Sequence, residues 1–139
     1  MTRYLLDTTV IVDYANAVEV AGGVVRSLFE GGHDLYTCDA VVCEALSSGT
    51  ESERRVADGL LSALEYVALD PDGARWAGES RRTRGVGRNR RTLGDALIAA
   101  AASRLGATIV TRNPRDFMRQ GVPVLEYGKR DGPRPTGSA

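Results

Sequence analysis

LGDALIAAAASRLGATIVTRNPRDF, residues 93–117, reads as three elements in succession. Leu93 to Leu105 is rich in alanine, the best helix former, and Gly106 supplies a stop. Thr108-Ile109-Val110-Thr111 is short and β-branched, which predicts a strand. Pro114 then opens a short helix, since a proline at the first helical position loses no hydrogen bond.

Working outward, the same punctuation recurs. Residues 3–7 predict a short buried strand, and a helix starts near Thr9. Val18 to Glu30 has apolar residues at roughly helical spacing and ends at Gly31-Gly32. Residues 34–37 predict a strand, and Asp39 to Ser48 a helix stopped by Gly49. Thr50 and Glu53 have the spacing of a capping box, opening a helix through about Leu64. Val67-Ala68-Leu69 predicts a third strand, and Pro71-Asp72 starts a helix towards Arg84. Residues 85–91, GVGRNRR, read as a basic loop, and residues 122–125 as a last, edge strand. Short strands alternating with helices predict an α/β fold: a small, mainly parallel sheet flanked by helices on both faces. One domain is expected over residues 1–127. The polar, Gly- and Pro-rich tail GKRDGPRPTGSA, residues 128–139, is expected to be disordered.

Composition narrows the class. The 139 residues are 42% hydrophobic and 26% charged, enough for one core and a polar surface. No apolar run approaches the roughly 18–20 residues needed to cross a bilayer. Arg3 and Asp7 interrupt the place where a secretory signal would need apolar residues. A cytoplasmic protein with no membrane association is the expectation. Cys38 and Cys43 make no disulfide framework and are expected to be reduced core residues. The single histidine, His33, builds no zinc site with them at a familiar spacing. Net charge is zero, yet between Arg75 and Arg119 eleven arginines stand against only Glu79, Asp95 and Asp116. Arginine forks match phosphate oxygens, so this segment is a candidate phosphate-gripping rim. Its candidate residues are Arg81, Arg82, Arg84, Arg88, Arg90 and Arg91, with Arg112 beyond them. A solvated basic loop is the plain alternative.

The carboxylates carry the chemistry. In an open α/β sheet, ligands collect at the carboxyl ends of the strands. Asp7 ends the first strand, Asp95 opens the alanine-rich helix, and Asp116 lies five residues beyond Thr111. Glu44 sits in a helix among Val41, Val42, Ala45 and Leu46, where a carboxylate is costly unless compensated. Each also has a capping or solvated use: Asp7 as an N-cap, Asp95 as the partner of Thr92, Asp116 as the partner of Asn113, and Glu44 on a solvated helix face. Several carboxylates in one pocket repel each other, and a divalent cation relieves that. Oxygen donors with no His or Cys favour Mg²⁺, with Mn²⁺ as the close substitute.

These blocks together resemble the PIN-domain family, and within it the VapC-type toxins of bacterial toxin–antitoxin pairs. The resemblance rests on LLDTTVIVDY (5–14), the Glu44 helix, and LGDALIAAAASRLGATIVT running into TRNPRDF. It covers residues 3–126. It implies a PIN-like three-layer α/β/α domain and a metal-dependent endoribonuclease. Asp7, Glu44, Asp95 and Asp116 match the family's acidic cluster. Thr8 or Thr9, Thr111 and Asn113 match supporting polar positions, with Asn113 and Asp116 competing to complete the set. Asp7 and Asp95 would hold the metal, and Glu44 would orient or deprotonate the attacking water. The resemblance also implies a cognate VapB-type antitoxin, a homodimer and a toxin–antitoxin hetero-oligomer. Val18, Val20, Val24, Val25, Leu28 and Phe29 offer more apolar surface than one helix face needs, which agrees.

Two other functions fit parts of the sequence. A non-catalytic PIN-like module binding RNA or protein would share the fold, but it has little reason to keep clustered carboxylates. A haloacid-dehalogenase-like phosphatase also opens on a strand ending in Asp. It needs a second Asp two residues later, where this chain has Thr9.

Overall fold

The computed structural model describes residues 2–84, 92–117 and 121–128. Five strands alternate with helices: β1 (Arg3–Leu6), α1 (Thr8–Ala15), α2 (Glu19–Glu30), β2 (Asp34–Cys38), α3 (Asp39–Leu46), α4 (Glu51–Ala63), β3 (Glu65–Val67), α5 (Pro71–Arg84), α6 (Leu93–Leu105), β4 (Thr108–Thr111) and β5 (Val124–Glu126). A 3₁₀ turn, Pro114–Asp116, follows β4. The strand order is β3-β2-β1-β4-β5, and all four pairings are parallel. The expected "mainly" parallel sheet is wholly parallel among the described strands. No described helix is long and apolar enough to cross a membrane.

The helix signals act as anticipated. Thr50 accepts the Glu53 N–H at 3.1 Å while the Glu53 carboxylate accepts the Thr50 N–H at 2.8 Å, so two orphan donors at the start of α4 are satisfied reciprocally. Gly106 closes α6 in the left-handed conformation at φ 65°, which a residue with a Cβ adopts only with strain. The third strand is displaced: it occupies Glu65–Val67 rather than 67–69. It is an edge strand with Glu65 and Tyr66 exposed, so burial never stamps an apolar pattern on it.

The core lies around the central strands. Leu5, Leu6, Val10, Ile11, Ile98, Ile109, Val110 and Phe117 are fully buried. Ala99 to Ala102 are buried along α6, and a small cluster of Ala77, Ala96 and Ala100 joins it to α5. Small side chains let α5 and α6 approach closely. Cys38 is buried, with its thiol pushed up to about 11 chiefly by desolvation. Cys43 is exposed on α3, contrary to the core role expected of it; both are free thiols. On α2, Val25 and Leu28 are buried, whereas Val20 and Phe29 stay exposed, as does Val18 just before it. The surplus apolar surface is real.

Strand order places the site. From β1 the chain moves to β2 and then β3 on one side; β4 and β5 lie on the other. The winding order therefore reverses between β1 and β4, and such a switch point, beyond the carboxyl ends of the strands, is where α/β sheets collect their ligands. Leu6 pairs with Val110 in register, so Asp7 and Thr111 leave the sheet side by side.

Candidate active site

Asp7 stands at the N-cap of α1, yet its side chain makes no capping bond there. It is only 4% exposed. Two hydroxyls serve it instead: Thr111 Oγ1 donates to Oδ2 at 2.8 Å and Thr9 Oγ1 donates to the same oxygen at 3.1 Å. Each hydroxyl is itself fixed by the main chain. The Arg112 N–H donates to Thr9 Oγ1 at 3.1 Å, and the Asn113 N–H donates to Thr111 Oγ1 at 3.0 Å. A hydroxyl that accepts an N–H on one side has its own hydrogen free to point the other way. The pair is thus aimed at Asp7. Burial still raises the Asp7 carboxyl above its ordinary value, and the threonine bonds oppose that rise.

Asp95 is the third residue of α6. Its N–H donates to Thr92 Oγ1 at 3.1 Å, so the capping signal is a real one. The capping and site uses are compatible, because the cap engages the backbone N–H. The Asp95 carboxyl is pushed up to about 6 by desolvation, with a Thr92 hydrogen bond opposing and the charges of Asp116, Asp7 and Glu44 adding to the rise. One carboxylate therefore feels all three others, and the four acidic residues share one field.

Glu44 is exposed on α3, so the burial that singled it out does not occur: Val41 and Ala45 turn inward beside it. What holds it is local. Thr8 Oγ1 donates to Glu44 Oε1 at 2.6 Å, and the carboxylate lies against the backbone of Gly94. Asp116 ends the 3₁₀ turn, exposed, with Asn113 at the turn's N-cap making no side-chain capping bond. Among the described residues, no three His, Cys, Asp or Glu side chains are drawn tightly enough to form a closed metal cage. Mg²⁺ needs no such cage, because it keeps several waters and takes only one or two carboxylates directly.

The arginines divide. Arg88, Arg90 and Arg91 lie outside the described residues, as do residues 129–139 of the tail. Arg82 pairs with Glu79 on the exposed face of α5, with Nη2 2.6 Å from Oε1. Arg112 pairs with Asp13, a residue the sequence did not flag. Asp13 and Tyr127 both went unflagged; the one local signal is that Asp13 lies one helical turn beyond Thr9 on the same face of α1.

Comparisons with known proteins bear on the family and the fold. The PIN domain family profile matches residues 4–121. Ribonuclease VapC19 of Mycobacterium tuberculosis is 32% identical over 114 residues, covering 81% of this chain and 90% of that protein. Ribonuclease VapC11 of the same organism is 34% identical over 116 residues, covering 78% and 85%. Among solved structures, VapBC2 from Rickettsia felis, bound to a DNA fragment from its promoter, superposes with a TM-score of 0.70. It is 22% identical over 90% of this chain and 98% of the other, so it speaks for the fold. With a profile that matches most of its length and relatives about a third identical, the chain belongs to the PIN-domain family.

Proposed function

We propose that this protein is a VapC-type endoribonuclease, the toxin of a toxin–antitoxin pair, acting in the cytoplasm on RNA phosphodiester bonds. The observation that carries it is the common field of Asp7, Glu44, Asp95 and Asp116 at the switch point of the sheet. Two ribonucleases of that name, each about a third identical over most of the chain, support it.

Asp7 and Asp95 are the residues that would hold Mg²⁺ or Mn²⁺. Both carboxyls are raised chiefly by burial and further by neighbouring carboxylates, a cost that a bound cation would relieve. When bound, such an ion activates water and offsets charge on the scissile phosphate. Thr9 and Thr111 hold the Asp7 carboxylate in a fixed orientation, as a metal ligand would require. Glu44, exposed and steadied by Thr8, is free to accept the proton of the attacking water. Asp116 and Asn113, at the rim, complete the polar wall. Arg88, Arg90 and Arg91 are proposed to grip RNA phosphates.

A VapB-type antitoxin is the proposed partner, since several solved neighbours of this fold are VapBC complexes. The exposed Val18, Val20 and Phe29 suit a homodimer or a toxin–antitoxin interface. The test is cleavage of total RNA by the purified chain with Mg²⁺, Mn²⁺ or EDTA, beside Asp95→Asn. Discrete metal-dependent fragments, absent from the variant, are expected. Equal cleavage by Asp95→Asn, or none by a folded wild type, would overturn the nuclease assignment.

A further inference from the structure

Asp13 is a buried carboxylate that the acidic cluster does not use. It is 6% exposed. Both of its oxygens accept from Arg112 Nη1 at 2.8 Å, and Oδ2 also accepts from Tyr127 Oη at 2.7 Å. The knot joins three segments that are remote in sequence: α1, the turn after β4, and the residue after β5.

Each arm of the knot continues into the site through the main chain. Arg112, whose guanidinium is held by Asp13, gives its N–H to Thr9 Oγ1. Tyr127, whose phenol is held by Asp13, gives its N–H to the Thr111 carbonyl at 3.1 Å. Thr9 lies one turn before Asp13 on α1. Thr9 and Thr111 are the two residues whose hydroxyls meet on Asp7 Oδ2. A buried, ion-paired carboxylate is a weak source of stability, since desolvation consumes much of the attraction. Its directional bonds do fix geometry.

We propose that Asp13, acting through Arg112 and Tyr127, is a positioning residue that aims the Thr9 and Thr111 hydroxyls at Asp7. The inference rests on the ribonuclease reading above. It also assigns Arg112 a different task from gripping RNA: its guanidinium anchors a turn, although half of it faces solvent.

The experiment uses the full chain and the variants Tyr127→Phe, Asp13→Asn and Arg112→Gln. Melting temperature, Mn²⁺ affinity by calorimetry, and kcat and KM for RNA cleavage are measured for each. Tyr127→Phe deletes one oxygen and keeps the ring in place, so it keeps the test alive if Asp13→Asn fails to fold. Its kcat is expected to fall about 10- to 100-fold, with Mn²⁺ binding weakened over a similar range and KM unchanged. A lower melting temperature with wild-type kcat and Mn²⁺ affinity would overturn the proposal, leaving the knot a purely structural tie. A raised KM with unchanged kcat in Arg112→Gln would overturn it too, in favour of phosphate binding. A wild type that binds Mn²⁺ but cuts no RNA would sink the ribonuclease reading alone, because the Mn²⁺ affinities still report on the knot.

Discussion

The Glu44 carboxylate lies against Gly94, so close that a Cβ added at Gly94 would overlap Oε2 and crowd the carboxyl carbon at 2.9 Å. Helix α3 thus meets the first turn of α6 at a residue with no side chain. The crowded atoms are the far end of a flexible side chain, so Gly94→Ala can be accommodated by swinging Glu44 away. The fold should survive, because alanine suits a helix better than glycine. RNA cleavage should fall about 10²-fold, close to the loss in Glu44→Gln, with the circular dichroism spectrum unchanged. Full activity in Gly94→Ala would show that the observed place of Glu44 does not matter.

Thr111→Val keeps the shape of a buried side chain and removes its hydroxyl. The Asn113 N–H loses its acceptor and Asp7 loses its shorter hydrogen bond. Denaturant unfolding should show a loss of about 1–3 kcal/mol. Asp7 should also be harder to ionise, so the acid limb of the pH–rate profile should move to higher pH. Thr111→Ser restores the hydroxyl and should behave much like the wild type in both measurements.

Asp95 gives the protein a pH dependence opposite to that of a salt-bridged carboxylate. Its folded value, about 6, lies above its ordinary 3.8. The folded state therefore binds the proton more tightly than the unfolded state does. The associated stability is present below the unfolded value and is lost as pH rises through about 6. Without divalent metal, the melting temperature should be higher near pH 5 than near pH 7. Saturating Mg²⁺ should raise it most at the higher pH, where the carboxylate is ionised. Asp95→Asn should flatten the metal-free dependence; a variant with the wild-type slope would remove Asp95 as its source.

The arginine-rich segment makes a separable claim. If Arg88, Arg90 and Arg91 each neutralise a phosphate, the triple glutamine variant should bind single-stranded RNA with a shallower salt dependence. The slope of log affinity against log salt should fall by about 0.7 for each phosphate no longer neutralised. The effect should appear in KM and leave kcat largely intact. An unchanged slope would return those residues to the role of a solvated loop.

Much of this molecule is legible in its sequence because its boundaries carry local chemistry. Gly106, the Thr50–Glu53 box and Pro71 mark their helices without help from tertiary structure. β3 slipped by two residues because an exposed edge strand is selected for pairing and not for burial. The sequence offered four acidic residues as candidates, and for one of them the structure gives a different setting from the one expected. Glu44 looked costly in an apolar helix, yet it faces outward; the buried charges are Asp7 and Asp13. Asp13 escaped notice because its meaning lies in Arg112 and Tyr127, residues 99 and 114 positions away. No local pattern encodes a bond across that distance.

That separation has a consequence for the order of manufacture. Asp7 and Glu44 leave the ribosome early, but the Thr111 hydroxyl that steadies Asp7 comes 104 residues after it. β4, which lies beside β1 in the finished sheet, cannot pair until residues 108–111 have been made. Parallel pairing between such distant strands is slow to form. The carboxylates therefore emerge unassembled and stay so through most of synthesis. The proposed catalytic set therefore comes together only after β4 has been made, which leaves the interval before it for a partner to be waiting.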